Sequence, residues 1–302
     1  MANSKNYEII TNQIVEALEQ VEANDWECPW NRFSQIPRNA DSGRRYNGVN
    51  VLVLWSVAMS RGYETQDWFT YKGAQRNGGQ VKKGEKGTKI VYWRFIKKPD
   101  LRAAGLTQEE YDDLSKAEQE DVPEKSFPLC KTFSVFNRAQ CDGLPKPEKT
   151  EVKGDEEIDE FIDSIGADIR RGPMAAYSPK EDKVMLPPRS DFKSSNSFYA
   201  TAFHELAHWT GHESRLDRDM STRFGDESYA FEELIAQLAT SFVCADFGIK
   251  SDIQSAEYIK SWISKMKEDE YAVFTASREA KEAAEFLHEA AEAKDAEVEV
   301  AA

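Results

Sequence analysis

Two hydrophobic periods alternate along the chain. In residues 5–22, Ile9, Ile10, Ile14, Val15, Leu18 and Val21 recur at helical spacing and predict an amphipathic helix. Residues 26–33, aromatic and broken by proline, read as a packed loop. A glycine-punctuated basic stretch, Gly43 to Asn50, leads into an apolar helix through Leu52 to Met59. Residues 90–96, rich in β-branched and aromatic side chains, predict a strand, and residues 132–137 its partner. The acidic insert between them, about 100–124, reads as a surface excursion or flap, and residues 144–149 as a linker.

Beyond the linker, the pattern predicts a helix over 158–165 and two short strands around a polar turn in 175–186. A helix ending near Gly211 follows, capped by Ser195 or Ser197, with Gly211 as its left-handed stop. After a charged loop over 213–226 come helices at 228–247 and 255–267. The alanine- and glutamate-rich tail past Ala276 reads as helical at first and then frayed. No internal repeat is present. The class is α+β in two domains: 1–145 carrying the insert, 150–290, and an acidic tail over 291–302.

Composition excludes several classes. The 302 residues are 40% hydrophobic and 11% aromatic, enough for real cores, which rules out a disordered chain. The apolar runs are too short to span a bilayer, and the first residues lack a secretory apolar region. Cys28, Cys130, Cys141 and Cys244 are scattered without a CxxC pair, which suits a reducing cytoplasm and argues against a thiolate zinc site. The expectation is a soluble, cytoplasmic protein. Charge is uneven: residues 28–98 hold 14 Lys+Arg against 4 Asp+Glu, a local +10 within a chain of net −15. A basic module joined to an acidic one suggests two kinds of partner.

The chemistry concentrates in Phe203-His204-Glu205-Leu206-Ala207-His208-Trp209-Thr210-Gly211-His212, which holds three of the four histidines. Residues i and i+4 share a helix face, so His204 and His208 can direct two imidazoles at one ion. Glu205, one step round, is placed to take a proton from a water bound to it. A catalytic zinc takes a third protein ligand, for which His212, Glu213, Asp217, Glu232 and Glu233 are candidates. Leu234 to Ala245 carries no charge and reads as a helix buried nearly all round. Glu233 heads its small-residue face, followed by Ala236, Gln237, Thr240 and Cys244; periodicity alone leaves Glu232 open.

His204-Glu205-x-x-His208 followed by Glu233-x-x-Ala236 resembles gluzincin metallopeptidases, and that resemblance selects Glu233. The carboxylate that such enzymes place four residues later, as support for a histidine, is Gln237 here. Residues 175–186 look like the edge strand along which they lay substrate. A longer match is to ArdC-type antirestriction proteins of conjugative plasmids. It is carried by His204 to His212 with Ser214-Arg215-Leu216, by Pro29-Trp30, Gly43-Arg44-x-Tyr46-x-Gly48-x-Asn50, Trp68-x-Thr70-Tyr71 and Gly79-x-Val81-x-Lys83-Gly84-Glu85, and by Phe136-Asn137-x-x-Gln140. The resemblance implies a single-stranded-DNA-binding first domain, a zinc-peptidase-like second domain, and protection of incoming plasmid DNA from host restriction.

The first domain carries the residue types that binding single strands requires, a positive groove with aromatic faces. Arg44, Arg45, Lys72, Lys82, Lys83, Lys86 and Lys89 supply charge; Tyr46, Trp68, Tyr71, Tyr92 and Trp93 supply candidate platforms. Whether the metal domain turns over a protein substrate, such as a host restriction enzyme, stays open in the sequence. The rival readings are a metal-stabilised DNA-binding protein without proteolysis, and an acidic DNA mimic that occupies a restriction enzyme. Tyr229 and Tyr258 are the candidates for stabilising an oxyanion.

Overall fold

The N-terminal helix α1 (Ala2–Asn24) turns Ile10, Ile14 and Leu18 inward, as its periodicity requires. The computed structural model describes residues 2–24, 29–147, 152–219, 227–251 and 256–301, so parts of the expected packed loop, linker and charged loop lie outside the described residues. A short turn of helix, α2 (Pro29–Arg32), and strand β1 (Arg38–Asn39) lead to α3 (Val49–Ser60), whose residues Val49 and Val51 to Met59 are all buried. Such a helix belongs in the middle of a core.

The strands of the first part follow: β2 (Asp67–Phe69), α4 (Tyr71–Arg76), β3 (Gln80–Val81) and β4 (Thr88–Pro99). Three short helices, α5 (Leu101–Ala104), α6 (Gln108–Asp112) and α7 (Lys116–Glu120), then precede β5 (Glu124–Asn137) and β6 (Cys141–Asp142). β4 and β5 form a long antiparallel ribbon from Thr88↔Val135 to Pro99↔Glu124, well beyond the strand lengths expected from sequence. The acidic insert is the helical end of that ribbon. Part of its acidity is structural: Glu110 and Glu118 reach back to the backbone of Thr107 and Ser115 and complete capping boxes. β5 also pairs with β2, giving the order β1-β2-β5-β4, and β3 pairs with β6.

In the second part, α8 (Asp155–Ile165) precedes a three-stranded sheet of order β7-β9-β8, built from β7 (Asp168–Arg171), β8 (Ala176–Ser178) and β9 (Lys183–Leu186). β7 lies outside the predicted strands; with three charges in four residues it has no apolar alternation to read. Four long helices complete the chain: α9 (Ser195–Thr210), α10 (Glu227–Asp246), α11 (Ala256–Glu268) and α12 (Ala272–Ala301).

Three expectations change. Ser194, not Ser195 or Ser197, caps α9, its hydroxyl accepting from the Ser197 amide at 3.1 Å. Gly211 has φ −77°, so the helix ends without a left-handed residue. The tail does not fray: α12 continues to Ala301, burying Ala276, Ala280, Ala283, Leu287 and Ala291 at helical spacing.

The two parts share one hydrophobic core. α1 packs on both α3 and α11. Trp30 meets Trp262 at 5.8 Å between ring centroids, and Trp55 meets Phe242 at 5.9 Å. Truncating a buried tryptophan costs about 3–5 kcal/mol, so this seam stabilises the chain. No described helix is long and apolar enough to cross a membrane.

Candidate metal centre and nucleic-acid surface

Helix α9 places His204 and His208 one turn apart, with their Nε2 atoms 3.2 Å from each other. α10 packs against α9 and brings in Glu233, whose Oε2 lies 3.4 Å from His204 Nε2 and Oε1 3.4 Å from His208 Nε2. These three are the group among the described residues whose ligand atoms converge. A tetrahedral ion bound at about 2.0–2.1 Å keeps its ligand atoms roughly 3.3 Å apart, so two imidazoles and a carboxylate at these separations fit a metal. Glu205 is also buried, next to His204 on the same helix.

The remaining candidate ligands are directed elsewhere. Glu232 approaches the other side of the ring, its Oε1 3.2 Å from His208 Nδ1. With an ion bound, that bond would keep the proton on Nδ1 and turn Nε2 toward the centre. Glu232 thus fills the supporting role for which the sequence offered only Gln237. His212 Nδ1 turns to the Ser214 hydroxyl at 2.8 Å, and Glu213 and Asp217 are exposed in the loop. Tyr229, one turn before Glu233, hydrogen-bonds that carboxylate; burial and the neighbouring charge push its hydroxyl far above the usual range. It holds a proposed ligand rather than facing an open position. Tyr258 stacks on Trp262, at 6.1 Å between ring centroids.

A residue that the sequence does not single out completes this arrangement. Arg218 donates from Nε to Glu232 Oε2 at 3.0 Å and from Nη2 to Oε1 at 2.8 Å. It also reaches the Ala207 carbonyl at 2.7 Å and the Thr210 hydroxyl at 2.9 Å, satisfying the end of α9. One guanidinium therefore joins the two helices that carry the site. Its one sequence signal is its place just after the Ser214-Arg215-Leu216 run.

Burial opposes ionisation of His208, Glu232 and Glu233, but the contacts outweigh it. Glu232 and Glu233 push His208 up to about 10. His204 and His208 hold Glu233 well below the carboxylate range, and His208 and Arg218 lower Glu232. With Glu232 matched by Arg218, Glu233 between the two imidazoles is the carboxylate whose charge a divalent cation can meet.

The loop beyond the helix is fastened to the small sheet. Arg215 lies over Trp209, 3.9 Å from the ring centroid, and donates to the Trp209 carbonyl at 2.7 Å. Its guanidinium also grips Asp182 and touches Tyr177, which donates to Asp182 at 2.9 Å. Asp182 sits in the β8–β9 turn at φ +51°, a conformation that favours Asp, Asn or Gly. The turn, the edge strand β8 and the end of the histidine helix are thereby one unit.

In the first part, Arg44, Lys72, Lys82, Lys83, Lys86 and Lys89 are exposed. Lys82 leans on the Ala139 carbonyl and Lys89 on the Ser134 hydroxyl. Arg45 is committed to an ion pair with Asp246 of α10. The candidate aromatics divide. Trp68 is 0% exposed and packs edge-on against Tyr63, which makes it core and removes it as a stacking face. Trp93 is half-buried against Tyr7, at 5.5 Å. Tyr46 is half-buried too, and burial pushes its hydroxyl up to about 12. Tyr71 is exposed, beside Phe136.

The most open pair is Tyr92 and Phe133, 56% and 48% exposed, in edge-to-face contact at 5.9 Å on the β4–β5 ribbon. Lys131 lies opposite Tyr92 in the register. Phe133 shares strand parity with the buried Val135, so alternation alone places it inward, yet it is exposed.

The polar motif residues around this surface are clamps. Asn50 pairs with both backbone groups of Val91 at 2.8 Å, fixing α3 to β4. Asn137, fully buried, donates to the Thr65 carbonyl at 2.8 Å, while Gln140 donates to the Lys86 carbonyl and to Glu85. Gln140 thus holds down the basic loop, while Asn137 ties the same turn to Thr65.

Two family models match: residues 4–136 fit the N-terminal domain of anti-restriction factor ArdC, and residues 156–279 a zincin-like metallopeptidase domain. The crystal structure of the metal-free antirestriction ArdC protein from the R388 plasmid is 38% identical, with a TM-score of 0.75, covering 94% of this chain and 97% of that one. The Mn(II)-bound structure of that protein is 37% identical, with a TM-score of 0.71. An uncharacterized protein, y4eC, of Sinorhizobium fredii is 35% identical over 93% of this chain and 91% of its own. The DNA primase TraC of Escherichia coli is 38% identical over 299 residues, but the match spans 27% of that longer protein. With both parts matched and the ArdC protein covered almost end to end, this chain belongs to the ArdC antirestriction family.

Proposed function

We propose that this protein binds single-stranded DNA through its first part and protects incoming plasmid DNA from restriction, with peptide hydrolysis at the metal centre. The observation that carries the reading is the convergence of His204, His208 and Glu233, on a chain whose first part carries a basic surface with exposed aromatic rings. Lys72, Lys82, Lys83, Lys86 and Lys89 attract the phosphates, and Tyr71, Tyr92 and Phe133 offer faces to the bases.

His204, His208 and Glu233 would hold one divalent ion, for which zinc suits the donor set; the R388 protein has been solved with Mn(II). Such an ion supplies Lewis acidity, making a water a nucleophile near neutral pH. Glu205, beside His204 on the same helix, would take a proton from water there and return it to the departing amine. β8, at the edge of its sheet, offers backbone groups to an extended peptide, and Arg215 with Asp182 fixes its turn beside the site. A protein acting in restriction, such as a restriction enzyme, is the proposed substrate.

The test is transfer of unmodified plasmid DNA into a restricting host. Wild type should raise transfer, and Glu205→Gln should lower it to the level without the protein, with no difference in a host that lacks restriction. Full protection by Glu205→Gln would leave DNA binding as the function and remove hydrolysis from it.

A further inference from the structure

A cavity of about 390 Å³ opens where the first part meets the end of α10, lined by Arg32, Phe33, Tyr63, Glu64, Gln66 and Lys250, with the Ser34–Gln35 backbone beside it. Gln66 is 3% exposed, and neither the nitrogen nor the oxygen of its side-chain amide has a hydrogen-bond partner among the described residues. An amide buried without a partner is a cost that folding alone does not explain. A ligand with adjacent donor and acceptor atoms would satisfy both ends at once.

The surroundings narrow the ligand. Arg32 and Lys250 are exposed cations, and Phe33 and Tyr63 supply rings; Glu64 is the one acid in the lining. The segment that lines the cavity is also tied to the basic loop. Arg61, two residues before Tyr63, donates to the Lys86 carbonyl at 3.0 Å, and Asn137 ties Thr65 to the start of the turn that holds that loop. Arg61, Asn137 and Gln140 thereby join the segment that carries Gln66 to the loop that carries Lys82, Lys83 and Lys86.

We propose that this cavity receives one nucleobase of a bound single strand. The Gln66 amide pairs with a donor–acceptor edge of the base, Tyr63 or Phe33 packs its face, and Arg32 and Lys250 meet the flanking phosphates. The site adds base preference to a surface that otherwise reads only charge and stacking. It rests on the single-strand reading above.

The experiment is equilibrium binding of the full chain to the four homopolymeric DNA oligomers, with wild type and Gln66→Leu compared across salt. Wild type should prefer one base by roughly tenfold. Gln66→Leu, similar in volume, should abolish that preference while keeping the salt slope, and its melting temperature should not fall, since an unpaired amide has been removed. Lys250→Gln should lower the slope by about 0.7 without changing which base is preferred.

If wild type and Gln66→Leu bind with the same preference, the cavity is not the base site, although single-strand binding stands. If the folded wild type ignores all four oligomers at low salt, the single-strand reading falls and takes this inference with it. A free nucleoside monophosphate that saturates the cavity while leaving oligomer binding untouched would overturn it in favour of a mononucleotide ligand.

Discussion

Arg218 and Glu232 form a two-pronged ion pair, at 3.0 and 2.8 Å, with 5% and 7% of their side chains exposed. Removing one member leaves the other charged and buried. Arg218→Ala should therefore cost about 3–5 kcal/mol of folding stability. Arg218→Lys keeps the charge without the fork and should fall between that variant and wild type. Urea unfolding in the presence of a chelator measures this without any contribution from bound metal, and wild-type stability in Arg218→Ala would refute it.

The same pair reaches the metal centre through His208. Glu232→Gln weakens the acceptor that orients the ring, and metal affinity should drop roughly 10–100-fold. Glu233→Ala removes a proposed ligand and should do more. Competition with a chromogenic chelator ranks the two, and the opposite order would mean that the ligand and its support have been exchanged.

Acid should act on the link between the small sheet and the histidine helix. The Arg215 bond is the main cause that holds the Asp182 carboxyl below its usual range, with Tyr177 adding to it. Because the folded-state value is depressed, the ionised form stabilises the fold above the ordinary carboxylate pKa, and that contribution disappears as pH falls through the folded value. Asp182→Asn tolerates the positive φ and removes only the charge. It should melt below wild type at pH 7, and the gap should close as pH falls below about 4. A gap that stays constant from about pH 7 to pH 3 would contradict this origin.

Salt and stacking should separate on the first part. Changing Lys82, Lys83 and Lys86 together to Ala should flatten the log–log salt dependence of single-strand binding by about 0.7 for each phosphate the protein no longer neutralises. Tyr92→Ala or Phe133→Ala should cost about 1–3 kcal/mol of affinity with the slope kept. Trp68→Ala should instead destabilise the fold by about 3–5 kcal/mol, because Trp68 is core. Circular dichroism beside each titration distinguishes the two, and a folded Trp68→Ala with reduced stacking would reverse the assignment.

How much of this is legible in the sequence follows from how local each signal is. The i, i+4 histidines, the uncharged run of α10 and the β-branched run of β4 carry their element type in their own spacing, although β4 extends further than that run. Arg218 is not legible, because a lone arginine in a charged loop has no period and its partners come from two helices. Glu232 and Glu233 differ by one residue, and only the packing of α10 against α9 decides which carboxylate faces which ring nitrogen. The aromatics of the first part fail for a similar reason. Trp68, a candidate platform, is core, while Phe133, which no motif singles out, is exposed. An aromatic in a strand declares its type but not its side, and the shared core decides that.

The presence of a metal is the claim on which the site depends, and metal content tests it most directly. Wild type, His208→Ala and Glu233→Ala should be loaded with zinc, dialysed against a weak chelator and assayed by elemental analysis, with folding checked on each. About one ion per chain is expected in wild type and almost none in either variant. One full equivalent in both variants, or none in folded wild type, would contradict the metal centre.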